Sequence, residues 1–402
     1  MHDILAAQQR TFASGLTRDL AFRKRQLIAL RDGLIRYESQ ILDALKTDLN
    51  KSEVEAYATE LGYCLGSIRF TLKHLNRWAK TQRVKSTLMS FPSLSYVQME
   101  PIGNVLVIGP FNYPFQLVIE PLIGALSAGN TVVIKPSEHA KATANVIAEL
   151  VADVFDPEVV TVIQGDAKVT QALAEMPFNH IFFTGSTRVG KAIYASASKN
   201  LTPVTLELGG KSPTIIDETA DLAFTARRIA FGKFINAGQT CIAPDYVYIH
   251  ESVKDAFVAE MNAVIAKHDH QPEHFTRIIH DGHFERLVRL IEPHQVIHGN
   301  GYDAATRFIS PHVLENVSED DKVMQEEIFG PILPILTYSN LDNLIEHLKT
   351  KERPLALYLF SLSPANQRKV FSSLSFGNGA INDTLMQVAN PHLPFGGVGS
   401  SG

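Results

Sequence analysis

The chain has 402 residues, 45% of them hydrophobic and 20% charged, and its 37 basic and 42 acidic side chains leave a net charge of −5. That length exceeds a single core and predicts two or more folded domains, while the lack of a long Lys/Arg run excludes a protein built to track a nucleic-acid backbone. Two cysteines exclude a disulfide framework, and Met1-His2-Asp3 leads into no apolar signal region, so a reducing cytoplasm is expected.

From residue 15 to 80, apolar positions such as Leu20, Leu27, Leu30, Leu34 and Ile41 recur at helical spacing with few breakers, which predicts packed amphipathic helices. Cys64 lies in this stretch between Tyr63 and Leu65, neither of which would activate a thiol, and is expected to be a buried core residue. Residues 86–100 turn serine-rich and extended, and lead to Tyr96-Val97-Gln98-Met99-Glu100-Pro101. They predict one or two strands of an arm that pairs outside the main core.

Between 105 and 208, short apolar runs alternate with helical segments, at 105–108, 131–134, 159–163, 181–183 and 204–208. This rhythm predicts a parallel sheet flanked by helices, whose ligands gather at the carboxyl ends of the strands. The apolar run 117–128 is broken by Glu120 and Pro121 and falls short of the roughly 20 residues that span a bilayer, so no transmembrane helix is expected. A second α/β series follows, with a strand at 214–216, a helix over 222–235 and a strand at 246–249, and predicts a second domain. The boundary is placed near Gly209-Gly210 from motif position.

The chemistry centres on Gly238-Gln239-Thr240-Cys241 and on Glu207-Leu208-Gly209-Gly210 upstream of it. Cysteine attacks carbonyls well when its thiol ionises in a partly exposed, electropositive pocket, and a nearby carboxylate can then activate water against the acyl-enzyme. Cys241 is the candidate nucleophile and Glu207 the candidate base; the alternative for Cys241 is a small buried core residue. Asn112, in the loop after the first strand of the sheet, either donates its amide to a developing oxyanion or caps the next helix. Gly185 and Ser186 either offer backbone N–H groups to a pyrophosphate or form an ordinary helix cap. Lys135 and Glu138 follow the second strand of the sheet, where a ribose could receive an ammonium and a carboxylate, or where both are solvated.

Two further features carry no such chemistry. Gly397-Val398-Gly399-Ser400-Ser401-Gly402 has the dinucleotide-loop spacing without a preceding strand or a following helix, and is read as a turn. Histidines crowd between His268 and His298, including His270 and His274 at helical spacing, but without nearby cysteine they are read as a polar surface segment, with no metal site expected.

Together these residues resemble the aldehyde dehydrogenase superfamily, in particular its class 3 branch of fatty, aromatic and coniferyl-type aldehyde enzymes. The resemblance runs through seven motifs in family order. They are residues 109–114, Lys135-Pro136-Ser137-Glu138, Phe183-Thr184-Gly185-Ser186, residues 207–211, residues 238–241, Glu326-Glu327-Ile328-Phe329-Gly330-Pro331 and Pro394-Phe395-Gly396-Gly397. It implies an α/β fold with a Rossmann-like cofactor domain (1–82 and 101–209), a small β oligomerisation arm (83–100 and 388–402) and an α/β catalytic domain (210–387).

The resemblance also implies roles. Cys241 would be the nucleophile, Asn112 and the Cys241 N–H the oxyanion donors, and Glu207 the activator of water. Lys135 and Glu138 would hold the adenosine ribose of NAD or NADP. Gly185 and Ser186 would lie beside the pyrophosphate, Glu327 would bind the nicotinamide ribose, and Phe329 would pack nearby. The implied reaction oxidises medium-chain aliphatic or aromatic aldehydes to acids through a thiohemiacetal and a thioester, in a homodimer. Family members continue past the Gly-Gly-Val-Gly segment with a tail that helps close the subunit interface, whereas this sequence stops at Gly402. A noncatalytic dinucleotide-binding protein is the competing expectation, and an acylating enzyme that passes the thioester to coenzyme A is a nearby one.

Overall fold

A computed structural model describes residues 1–267, 271–299 and 301–402. The chain divides into two compact units: Met1–Asp48, Ala56–Thr184 and Lys191–Thr205 form the first, and Leu49–Glu55, Gly185–Gly190 and Leu206–Gly402 the second. The whole is an α/β fold.

The first unit carries an exposed antiparallel hairpin, β1 (Gln82–Val84) and β2 (Ser95–Val97), joined through a 3₁₀ turn at Leu88–Ser90. The first strand thus begins before the serine-rich segment that predicts the arm. Its connection exposes apolar side chains: Leu88 is 93% exposed, Met89 100% and Phe91 80%.

The core of this unit is a parallel five-stranded sheet in the order β5-β4-β3-β6-β7. Its strands are β3 (Asn104–Ile108), β4 (Thr131–Lys135), β5 (Val160–Val162), β6 (His180–Thr184) and β7 (Val204–Glu207). Every residue of β3 and β4 is buried, as expected of strands covered on both faces, and each predicted run lies within about a residue of its strand. Leu27, Leu30, Leu34 and Ile41 from the N-terminal helices pack with Val105, Val107, Val132 and Ile134, and Cys64 is fully buried among them. Asp19 caps the helix Leu20–Arg36 by accepting the Ala21 and Phe22 N–H groups. The helix Gln116–Ala128 starts on the buried Glu60 carboxylate, which accepts from the Phe115 and Gln116 N–H groups at 2.9 and 3.1 Å.

Among its described residues the second unit holds nine strands: β8 (Pro213–Ile216), β9 (Tyr246–His250), β10 (Gln295–His298), β11 (Tyr302–Asp303), β12 (Phe308–Ile309), β13 (His312–Glu315), β14 (Ile332–Tyr338), β15 (Ala356–Phe360) and β16 (Asn378–Ile381). β11 and β12 form a small hairpin. The other seven pair in the order β10-β13-β14-β9-β8-β15-β16, parallel except for β10 against β13. The helix expected over 222–235 ends at Phe234, because Ile235 turns extended (ψ 140°) and the next three residues are left-handed. The glycine-spaced C-terminal segment is a turn: the Val398 N–H donates to Ser401 Oγ at 2.9 Å, and the Ser401 carbonyl accepts the Leu208 N–H at 3.1 Å. No helix among the described residues is long and apolar enough to cross a membrane.

Candidate active site

Three segments of the second unit converge on Cys241. The first leaves β7, which ends on Glu207, whose carbonyl accepts the Gly185 N–H at 3.0 Å. The second is the turn that follows the helix Leu222–Phe234. There Asn236 (φ 54°), Ala237 (φ 50°) and Gly238 (φ 72°) are all left-handed, a conformation that costs a non-glycine residue about 1 kcal/mol or more and so needs outside support. Support comes from Glu55, whose carboxylate accepts the Asn236 N–H at 2.8 Å, and from the buried Gln239, which donates to the Asn236 and Arg277 carbonyls and accepts the Ile279 N–H. Beyond Cys241, Tyr358 Oη donates to the Ile242 carbonyl at 2.7 Å.

The third segment, 326–330, carries Glu327 and Phe329. A Cβ built on Gly209 would lie 2.0 Å from Glu327 Oε2, so this glycine is where the carboxylate rests, and the Gly210 backbone favours its ionised form. A Cβ built on Gly238 would lie 2.2 Å from the Gly330 carbonyl oxygen, so the cysteine loop touches the same segment. Phe329 itself is left-handed (φ 52°).

The electrostatics differ from the electropositive pocket that the residues suggest. Cys241 is half-buried, and burial, with Glu327 and then Glu207 beside it, pushes its thiol up to about 12, although the Cys241 and Ile242 N–H groups favour the thiolate. The charged groups that act on the thiol are therefore carboxyls, not the positive neighbours that would lower it. Burial also raises Glu207 to about 7, and its Oε2 is buried without a hydrogen-bond partner. Glu327 rises to about 8, through burial first and Asp245 second, against the Gly210 N–H, Lys211 and Arg286. Lys233, fully buried on the last turn of the helix before the cysteine loop, has an Nζ without a partner, and burial brings it down to about 8. Two carboxyls and an amine of this site thus titrate near neutral pH, while the thiol stays protonated there.

Asn112, Lys135 and Glu138 belong to the first unit. Asn112 is buried in the loop after β3. The adjoining Gly109 N–H donates to the Lys135 carbonyl at 3.0 Å, which fixes that loop beside the end of β4. Lys135 Nζ, almost fully buried, lies 2.5 Å from Glu138 Oε2, so the expected neighbours form an ion pair. Burial alone would raise Glu138, but hydrogen bonds from Lys135 and the backbone outweigh it and hold the carboxyl below its ordinary range. Its side chain stays 35% exposed, which leaves an ionised acceptor at the end of a parallel strand, as a ribose diol requires. In the second unit, Ser186 Oγ accepts the Val189 N–H at 3.4 Å and its carbonyl accepts the Gly190 N–H, so Gly185-Ser186 lead into a helix N-terminus.

Reading the residues alone missed the groups that organise the 326–330 segment. Lys211 donates to Asp245 Oδ2 at 2.5 Å and to the Val323 and Glu326 carbonyls, and Asp245 Oδ1 accepts the Ile328 N–H. Arg286 and His283, on the helix Asp281–Ile291, bond to carbonyls of the same segment. The only signal available was the i, i+3 spacing of these last two. Of the histidine-rich stretch, His268 and His270 lie outside the described residues, and no three His, Cys, Asp or Glu side chains gather as a metal-ligand set among the described ones.

Comparison with known proteins gives the arrangement its lineage. The model of the aldehyde dehydrogenase family matches residues 2–402. The 4,4'-diaponeurosporen-aldehyde dehydrogenase of Staphylococcus aureus is 51% identical over 397 residues, covering 97% of this chain and 86% of that protein. The dimeric NADP-preferring aldehyde dehydrogenase of Canis lupus familiaris is 41% identical, covering 100% and 89%. The solved substrate-bound state of Staphylococcus aureus AldH superposes with a TM-score of 0.97 at 49% identity, covering 100% of this chain and 89% of that one. By its fold, its matched length and these relatives, the chain belongs to the aldehyde dehydrogenase family.

Proposed function

We propose that this chain oxidises medium-chain aliphatic or aromatic aldehydes to carboxylic acids, through a thiohemiacetal and then a thioester on Cys241. The observation that carries the reading is the convergence of Cys241 with Glu207, whose buried Oε2 has no partner and whose carboxyl is raised to about 7. A base near neutrality takes a proton from water and releases it again at working pH.

Asn112 stabilises the oxyanion with its amide, and the Cys241 N–H is the second donor. NAD or NADP, when bound, accepts hydride from the substrate carbon. Lys135 and Glu138 hold the adenosine ribose, Gly185 and Ser186 lie beside the pyrophosphate, and Glu327 binds the nicotinamide ribose with Phe329 beside it. In this reading residues 1–82 and 101–209 are the cofactor domain, 210–387 the catalytic domain, and 83–100 with 388–402 the arm of a homodimer. Two free thiols suit a reducing cytoplasm.

The test is reduced-cofactor absorbance with NAD or NADP and hexanal, benzaldehyde or 4,4'-diaponeurosporen-aldehyde, the last chosen because a 51% identical relative is named for it. Turnover that Cys241→Ala lowers by at least about a thousandfold is expected. Undiminished turnover in that variant overturns the nucleophile. Cofactor binding with no turnover on any aldehyde favours the noncatalytic reading, and product that appears only with coenzyme A favours the acylating one.

A further inference from the structure

The segment that carries Glu327 and Phe329 belongs to no helix or strand, yet its carbonyl groups are held one after another. Four consecutive carbonyl oxygens accept from side chains: Glu326 from Lys211 Nζ at 2.9 Å, Glu327 from Arg286 Nη1 at 3.2 Å, Ile328 from Arg286 Nη2 at 2.5 Å, and Phe329 from His283 Nε2 at 2.8 Å. Asp245 Oδ1 accepts the Ile328 N–H at 2.9 Å. A left-handed Phe329 persists only if its surroundings over-determine it, and these bonds do so.

Arg286 and His283 act as one unit. Arg286 Nη2 lies 3.3 Å from His283 Nδ1, which must accept, so the ring proton sits on Nε2, the atom aimed at the Phe329 carbonyl. Burial, and then Arg286, bring His283 down to about 3, so the ring stays neutral and keeps that tautomer across the working pH range. Leu287, next on the helix, closes on the segment from the same side: a Cβ built on Gly330 would lie 2.5 Å from its Cδ2.

We infer that Arg286 and His283 are positioning residues for cofactor binding, which clamp the 326–329 backbone in the one conformation that seats the Glu327 carboxylate on Gly209 and Gly210. The inference rests on the reading of Glu327 as a ribose ligand given above. Neither side chain need touch cofactor or aldehyde. The prediction is therefore a split: cofactor affinity falls while affinity for the aldehyde holds.

The experiment measures NADH binding by its fluorescence, with no turnover involved, and the cofactor and hexanal KM values beside it. Arg286→Met and His283→Ala should weaken NADH binding at least about tenfold and leave the hexanal KM within about twofold. His283→Gln, whose amide nitrogen reaches the Nε2 position, should bind nearly as the wild type does, and the shorter His283→Asn should not. Glu327→Gln serves as the reference. If it binds NADH normally, the reading of Glu327 falls; if it weakens binding while Arg286→Met and His283→Ala do not, the clamp falls. Should Arg286→Met fail to fold, the Gln and Asn variants of His283 decide, and equal behaviour of those two overturns the clamp.

Discussion

Cys241 lies between two carboxyls, so its reactivity depends on where their protons are rather than on a positive neighbour. A thiol raised to about 12 is a poor nucleophile at rest, and its proton must leave as the aldehyde is attacked. Glu207, raised by burial to about 7, is ionised above that pH and protonated below it. Where thioester hydrolysis limits the rate, steady-state turnover should therefore climb as pH rises through about 7. Glu207→Gln should flatten that limb and slow turnover by about a hundredfold, yet keep a rapid first burst of reduced cofactor in stopped-flow absorbance. A variant with neither burst nor turnover would assign Glu207 to the first half of the reaction instead.

Elements position these residues more than the residues position themselves. The run of left-handed residues at 236–238 delivers Cys241, and Gly238 has both a φ of 72° and a Gly330 carbonyl where a side chain would go. Gly238→Ala should cost about 2 kcal/mol of stability, read as a lower urea midpoint, and should impair catalysis as well. Much of this scale was legible in the residues. The strands at 104–108 and 131–135 announce themselves because the stretches 105–108 and 132–134, buried on both faces, are unbroken apolar runs, and Glu207 and Cys241 stand in short runs with distinctive chemistry. The end of the helix at Phe234 was not legible, since the turn after it is stabilised by Glu55 and Gln239 across long stretches of sequence. Arg286, His283 and Asp245 were missed for the same reason: each serves a backbone group about 40 residues or more away, and such bonds leave no local pattern. The influence of Glu327 on Cys241 left no local pattern either, because the two meet only through the fold.

At the scale of the whole molecule, the first unit leaves Leu88, Met89, Phe91 and Leu94 on the connection of an exposed hairpin, at 93%, 100%, 80% and 60% exposure. Apolar side chains clustered this way mark an association surface. For the homodimer proposed above, the double substitution Met89→Asp with Phe91→Asp should shift sedimentation from dimer to monomer without unfolding either unit; an unchanged dimer would move the interface elsewhere, and a wild-type monomer would remove the proposed homodimer. Lys233 bears on the molecule as a whole in another way. Its amine is half deprotonated near pH 8, the state that reacts with acylating reagents, yet no solvent reaches it. Acylation at that one position therefore requires the second unit to open, which makes Lys233 a built-in counter of breathing motions: the slower its mass shift accumulates beside that of the surface lysines, the rarer those excursions are.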